Sequence, residues 1–188
     1  MIQNRLFQGS MGSAFCFLMA AAYAGFPAGA SGLTSCTFLF DAVAETAHGT
    51  ISNGENLKGQ IKFTLARSDE EGQSRDYPAK GEIIVTRPGG GELSGKIRFV
   101  RVTRSPAVAD SLLIDARDVS GNLGQVKNYF DPMLFAVHGK RGMLSNFDLP
   151  RGSEGWNAFN VKRVFMYHHY GSDNPVLHQV GPLKGGCT

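Results

Sequence analysis

The sequence predicts a mainly β protein, either an antiparallel β-sandwich or a β-barrel, with at most one or two short helices. Three observations lead to this fold class. Residues 57–67 place apolar side chains at alternate positions, as in a strand with one buried face. About seven to nine short apolar segments are separated by turns rich in Gly, Pro, Asn and Ser. Strand patterns do not alternate with long helical patterns, which argues against a parallel α/β sheet.

Composition excludes a disordered chain. Of 188 residues, 42% are hydrophobic and 19% are charged, which is enough apolar surface for a packed core. The formal net charge of +3 is a mild excess, so we expect no nucleic acid among the partners. Lys96, Arg98, Arg101 and Arg104 lie around one strand. We interpret these cations as a solvated strand face rather than as an anion-binding or membrane-binding surface.

Residues 1–30 are predicted to be a signal peptide. Arg5 precedes an uninterrupted apolar stretch at residues 13–26, and small residues follow at 28–30 in an A-x-A pattern. The apolar stretch is shorter than the roughly 20 residues of a transmembrane helix. An uncleaved N-terminal anchor is the alternative. We expect a periplasmic or secreted protein in which residues 31–188 form a single β domain.

Cys36 and Cys187 are the two cysteines that the exported chain keeps. An even pair in an oxidising compartment predicts a disulfide. This bond closes a loop of nearly the whole domain, which corresponds to about 4–5 kcal/mol in the chain-entropy model. It requires the two ends of the chain to meet, with Cα atoms about 5–6 Å apart.

A second interpretation of Cys36 remains open. Residues 33–36 (LTSC) resemble the lipobox after which bacterial lipoproteins are cut and lipidated on cysteine. Lipidation is the one case in which we expect membrane attachment. However, residues 37–40 begin an apolar strand at once, where lipoproteins tend to have a polar tether. We therefore favour the disulfide.

The remaining strands are predicted from runs of apolar, aromatic and β-branched residues. They are 36–44, 82–86, 93–103, 133–137, a long strand from about 159 to 170, and 176–180. Turns and loops separate them. These are 48–56, 68–80, 87–91 and 171–175.

Four segments allow more than one structure. Residues 105–117 fit a helix that Ser105 caps, or a strand at 111–116. Apolar residues at helical spacing predict a short, weak helix within 121–130. Residues 143–147 fit a short strand, and 156–170 also fit a helix.

Known catalytic motifs are absent from the sequence. Residues 90–96 (GGELSGK) match the first seven positions of a phosphate-binding loop, but Ile97 follows where Ser or Thr must hold magnesium. Strand-forming residues follow in place of a helix, so we predict a hairpin turn. We expect no cofactor, and we favour a protein that is not an enzyme.

Three histidines raise the question of a metal site. His168, His169 and His178 are close in sequence. Adjacent residues of a strand point to opposite faces, so His168 and His169 cannot readily share one ion. Their spacing matches no metal-binding motif, and we predict no metal.

The aromatic segment 156–170 is the strongest candidate for a contact surface. It contains the only Trp of the chain, two Tyr and two His. Aromatic side chains with polar tips suit the mouth of a pocket or a protein contact, although they also fill cores. We predict that Trp156, Tyr167 and His169 bind the partner.

The sequence thus favours a non-enzymatic binding module of the cell envelope or the extracellular space. The expected partner is a small molecule, a polysaccharide or an envelope protein. Two alternatives remain: a hydrolase of envelope polymers that gathers His and carboxylates from separate loops, and a structural or assembly subunit. The sequence determines neither the ligand nor the oligomeric state.

Overall fold

The computed structural model describes residues 34–66, 69–71, 73–105, 107–168 and 175–188. In chain order the strands are β1 (Thr34–Ala44), β2 (Asn56–Leu65), β3 (Asp69–Glu71), β4 (Ser74–Thr86), β5 (Glu92–Thr103), β6 (Ser111–Gly121), β7 (Phe130–His138), β8 (Val161–Tyr167), β9 (Val176–Val180) and β10 (Lys184–Cys187). A 3-10 helix spans Leu123–Gln125, and helix α1 spans Ser153–Asn157.

Eight of these strands form a closed antiparallel barrel. β1, β2 and β4 to β9 each pair with the next member of this series, and β9 returns to pair with β1. The two other described strands lie outside the ring: β3 pairs with β4, and β10 pairs with β1. The predicted mainly β class is confirmed, and the closure makes the fold a barrel rather than a sandwich.

Inward-facing aromatic rings fill the barrel. The alternation predicted for 57–67 is confirmed, since the apolar residues of β2 are buried. The rings of Phe38 and Trp156 have centroids 5.2 Å apart, and those of Phe40 and Phe135 are 5.8 Å apart. The ring of Phe40 lies directly over Gly59, where a Cβ atom would collide with it. The interior is therefore a packed core.

Several predicted elements need correction. The helix predicted within 121–130 is wrong: only the three-residue 3-10 helix forms, because Gly124 and Gln125 take left-handed φ angles of 63° and 64°. Residues 111–116 are a strand, and β6 continues to Gly121. The loop predicted at 68–80 is wrong in part, since β3 and the first half of β4 lie there.

The C-terminal half also departs from the prediction. The long strand predicted from 159 to 170 is only β8, which begins at Val161 and ends at Tyr167. Residues 153–157 form helix α1 instead, which places the indole of Trp156 in the core. No strand forms at 143–147, where the described chain is irregular and bends at 145–147.

The predicted disulfide between Cys36 and Cys187 is confirmed. The two residues face each other across β1 and β10. Next to them, Ser35 and Thr188 exchange both backbone hydrogen bonds, which makes the cysteines a non-hydrogen-bonded pair. Their Cα atoms are 3.9 Å apart, closer than the predicted distance, because side chains at such positions approach most closely.

The end of the barrel that carries this bond is called the disulfide end. The opposite end, where β1 finishes at Ala44, is called the histidine end. The predicted signal peptide, residues 1–30, lies outside the described residues. Within the described part of the chain, no helix has the length and hydropathy needed to cross a membrane. The disulfide is consistent with an oxidising, extracellular compartment.

Loss of the disulfide is expected to destabilise the barrel. A Cys36→Ala/Cys187→Ala double variant should lose about 2–5 kcal/mol of unfolding free energy, because the unfolded chain regains the freedom that the crosslink removes. Urea unfolding with and without dithiothreitol measures this loss. The reductant should lower the stability of the natural chain and leave the double variant unchanged. Equal stability of the natural chain in both conditions, or a lipid adduct on Cys36 in intact-mass analysis, would contradict this account.

Candidate functional site

The structure places Trp156 and Tyr167, two of the three residues predicted as contacts, in different parts of the barrel. Trp156 is fully buried, and its indole Nε1 donates a hydrogen bond to the Pro150 carbonyl at 2.8 Å. Tyr167 is half-buried at the histidine end, where it faces Phe130 across β7 and β8. His169 lies outside the described residues. Trp156 enters the barrel from the disulfide end, so it is not brought together with Tyr167. The contact role of the three residues stays a prediction.

Two β-bulges meet at Arg98. The register between β4 and β5 shifts between Pro78 and Gly81, and the register between β5 and β6 shifts between Ile97 and Phe99. In the described strands, Arg98 therefore has no register partner on either side. Bulges bend a strand and redirect its side chains, and they are frequent beside functional sites.

An apolar groove of about 500 Å³, which we call the bulge groove, lies over this irregularity. Leu65, Ala79 and Ile97 contribute buried apolar surface to its wall. Arg98 and Lys80 supply positive charge. Pockets for small molecules combine these two features, a mostly apolar wall and a few polar groups.

The two cations of the groove are only weakly engaged. The Arg98 guanidinium lies 3.7 Å from a carboxylate oxygen of Asp118, and its side chain is 60% exposed. Lys96 approaches the same oxygen at 3.6 Å, so one carboxylate serves both cations. Lys80 forms no ion pair with any described residue. Such exposed pairs contribute little stability, and the cations remain available to an anion.

Other members of the basic stretch have structural partners. Arg101 forms a bidentate ion pair with Asp76, in which Nε and Nη2 donate to the two carboxylate oxygens at 2.7 and 2.6 Å. Arg104 donates from Nε to the Leu144 carbonyl and stacks on Phe147 at 5.3 Å. The stretch is therefore divided among several partners and is not one continuous cationic face.

A second depression of about 390 Å³ opens near Arg104 at the disulfide end. Its buried Asp110 accepts backbone hydrogen bonds from Ser105 and Leu144. The Arg75 guanidinium also lies over the Phe147 ring, 5.9 Å from its centroid. These contacts hold the 139–149 loop against the barrel, so most of the lining has a structural role. The bulge groove is the better candidate for ligand binding.

A buried histidine cluster occupies the histidine end. His48, in the loop after β1, and His178, on β9, have ring centroids 5.3 Å apart. Their exposed fractions are 6% and 0%. The Tyr129 hydroxyl donates to the Leu123 carbonyl at 2.6 Å, so its oxygen accepts the Nδ1–H of His48 at 3.2 Å. This contact leaves the Nε2 of His48 as a lone-pair nitrogen.

Several ring nitrogens of this cluster lack hydrogen bonds. Among the described residues, Nε2 of His48 and both nitrogens of His178 have no partner of normal geometry. Burial and, to a smaller extent, the neighbouring His48 lower the pKa of His178 to about 3, against the opposing effect of the Leu177 backbone. Burial also lowers the pKa of His48 to about 4, with His168 acting in the same direction. Both rings are therefore neutral at neutral pH.

Sequence reasoning missed the contribution of His48 and Tyr129 to this cluster. Both lie in turn-rich segments, 81 residues apart, and no local pattern connects them. His178 had a usable signal, since it alternates with Val176 and Val180 on the buried side of β9. No group of three or more His, Cys, Asp or Glu side chains in the described part of the chain is arranged to hold a metal ion.

The fold and these sites define a disulfide-closed β-barrel with a mixed apolar and cationic groove on its outside. Comparison with protein-family models finds no matching family. Comparisons with curated proteins and with solved structures find no match either.

The single tryptophan provides a test of the packing at the disulfide end. Because Trp156 is fully buried, its emission should be blue-shifted and poorly quenched by acrylamide in the folded protein. Unfolding in urea should shift the emission to the red and restore quenching. Fluorescence titration with acrylamide measures both states. Quenching of the folded protein as strong as that of the unfolded chain would contradict the buried position.

The histidine cluster predicts acid sensitivity of the metal-free protein. The unfolded chain binds these protons near pH 6.5, whereas folded His48 and His178 bind them only near pH 4 and pH 3. The free energy of unfolding is therefore independent of these histidines above about pH 6.5. As the pH drops below that value, it falls by up to about 1.4 kcal/mol per pH unit for each histidine. Between pH 7 and pH 5 we expect a loss of about 2 kcal/mol for each residue.

Urea unfolding in the presence of a chelator measures this slope. A His178→Gln variant should lose about half of the pH dependence, because Gln has no proton to bind. The exposed His138, changed to Gln, is the matched control and should keep the full slope. If His178→Gln titrates like the natural protein, the buried pair does not cause the acid sensitivity.

Proposed function

We propose that this chain is an exported, non-enzymatic binding module of the cell envelope or the extracellular space. Its ligand is an amphipathic anion, with an apolar body and a carboxylate or phosphate group. The bulge groove is the binding site. The observation that carries this proposal is the position of Arg98, which two bulges place beside an apolar groove instead of within a regular ladder.

The chemistry of the groove supports an anion with an apolar body. Buried Leu65, Ala79 and Ile97 give the ligand apolar surface, and each CH₂ group that it buries contributes about 0.8 kcal/mol. Arg98 and Lys80 can donate charge-assisted hydrogen bonds to a head group, which are about twice as strong as neutral ones. A fully hydrophilic anion would leave the apolar wall uncovered, and an uncharged lipid would leave both cations unused.

The rigidity of the site supports the same proposal. The groove lies on paired strands, and backbone bonding continues beside it, where Ala66 N–H donates to the Pro78 carbonyl at 2.8 Å. Sites on strands are held more accurately than sites on mobile loops. Ligand binding therefore requires no large rearrangement of the barrel. The disulfide supports export, because such bonds persist in oxidising compartments.

Calorimetric titration with decanoate below its micelle concentration tests this function. Decanoate should bind, whereas acetate, which lacks the chain, and decyltrimethylammonium, which carries the opposite charge, should not. Arg98→Gln and Lys80→Gln should each weaken decanoate binding about tenfold, since a tenfold change corresponds to about 1.4 kcal/mol. Lys58→Gln, an outward-facing lysine on β2 away from the groove, is the control and should bind normally.

Two further variants separate charge from shape. Ala66 is exposed at the groove, so Ala66→Phe should block the groove without disturbing the core. Asp118 has a left-handed φ of 53°, a conformation that Asn adopts readily, so Asp118→Asn removes the competing carboxylate with little strain. This variant should bind decanoate several-fold more tightly. Unchanged affinity in both Arg98→Gln and Ala66→Phe would refute the proposal.

A further inference from the structure

The ring nitrogens of His48 and His178 are buried inside the barrel without hydrogen-bond partners of normal geometry. Buried polar atoms in proteins nearly always have hydrogen-bond partners, and each one left without costs about 1–3 kcal/mol. Among the described residues, three ring nitrogens of His48 and His178 have no partner of normal geometry; because both rings are neutral, two of the three are lone-pair nitrogens and the third is an N–H of His178. The two histidines come from different elements, and their rings meet at an interplanar angle of 42° with centroids 5.3 Å apart, so their free ring nitrogens are concentrated in one place.

The side chains that could bind a metal ion here are uncharged: two imidazoles and one thioether. Metal ligands must be unprotonated, and burial already keeps both imidazoles in that state. Met166, fully buried on β8, faces the same interior, two residues beyond Val164, which pairs with His178. Glu55 is the carboxylate whose charge acts on His48, and Arg87 already forms a hydrogen bond with it.

We propose that His48 and His178 bind one monovalent copper ion, with the thioether of Met166 on the same side of the interior. Bonds from a metal to imidazole are about 2 Å long, so rings with centroids 5.3 Å apart are close enough to share an ion. Tyr129 is a positioning residue, because it fixes the tautomer of His48 that presents Nε2. This site is independent of the bulge groove and of its ligand.

The charge of the ion and the number of ligands it requires favour copper(I) over zinc(II) at this site. Structural zinc almost always takes four ligands, and the described residues contain no arrangement of three or more such side chains. A divalent ion among neutral ligands would also bury two uncompensated charges, at a far higher desolvation cost than one charge. Monovalent copper accepts two or three ligands, and imidazole and thioether groups both suit it.

Anaerobic titration of the metal-free protein with copper(I), supplied as its acetonitrile complex and competed with bicinchoninate, tests the proposal. We expect one ion per chain and a raised Tm. His48→Gln and His178→Gln should each weaken binding at least about 100-fold, and Tyr129→Phe about tenfold. His138→Gln, an exposed histidine on β7 at the disulfide end, is the matched control and should bind normally.

X-ray absorption of the natural protein with copper bound keeps the proposal testable if a variant fails to fold. The spectrum should show scattering from two imidazoles, and Met166→Leu should remove any sulfur contribution. Absence of stoichiometric binding, a spectrum without imidazole scattering, or full affinity in both glutamine variants would overturn the site. Tighter binding of zinc(II) than of copper(I) would overturn the choice of ion.

Discussion

Closure of the barrel at β1 is the constraint on which the rest of the structure depends. On one side β1 pairs with β2 along nearly its whole length. On the other side two short strands share it: β9 covers Ala42 to Ala44, and β10 covers Cys36 to Leu39. Between them, Gly181 N–H donates to the Asp41 carbonyl at 2.8 Å. This arrangement leaves no open edge on β1, and the disulfide secures the shorter of its two closing strands.

The two ends of the closed barrel are filled by different kinds of side chain. At the disulfide end, α1 supplies Trp156, which packs among aromatic rings, and its indole Nε1 donates a hydrogen bond to the Pro150 carbonyl. At the histidine end, the interior contains His48 and His178, for which no such partners are described. The same fold therefore satisfies the buried indole at one end and leaves buried imidazole donors and acceptors without partners of normal geometry at the other.

Local patterns predicted the parts of this fold that depend on local physics. The alternation at 57–67 and the apolar run at 176–180 became β2 and β9, because the face that a residue takes in a strand follows from its parity. The spacing of apolar residues in 121–130 predicted a helix that does not form, because the left-handed backbone at Gly124 is incompatible with an α-helix. The cysteine pair was found from compartment and count, which require no structure.

The candidate sites depend on long-range pairing and were not accessible in the same way. The two bulges at Arg98 arise from the registers of three strands, and register is set by how the whole sheet packs. The meeting of His48 with His178 joins the loop after β1 to β9, which only barrel closure brings together. From the sequence, the histidines could be compared only by their spacing along the chain, as with His168 and His169. The pairing of His48 with His178 depends on contacts between distant segments.

Both candidate sites are departures from a regular barrel, and the closure explains how the fold tolerates them. A bulge interrupts a ladder, and each unpartnered buried ring nitrogen costs about 1–3 kcal/mol. The disulfide, which crosslinks residues 151 positions apart, contributes stabilisation of similar size, about 2–5 kcal/mol. Irregularities that persist in a well-packed protein are concentrated where it binds or reacts. Arg98 meets that criterion through its backbone register, and the His48–His178 pair meets it through unsatisfied donors and acceptors. These are the reasons for proposing two separate ligands.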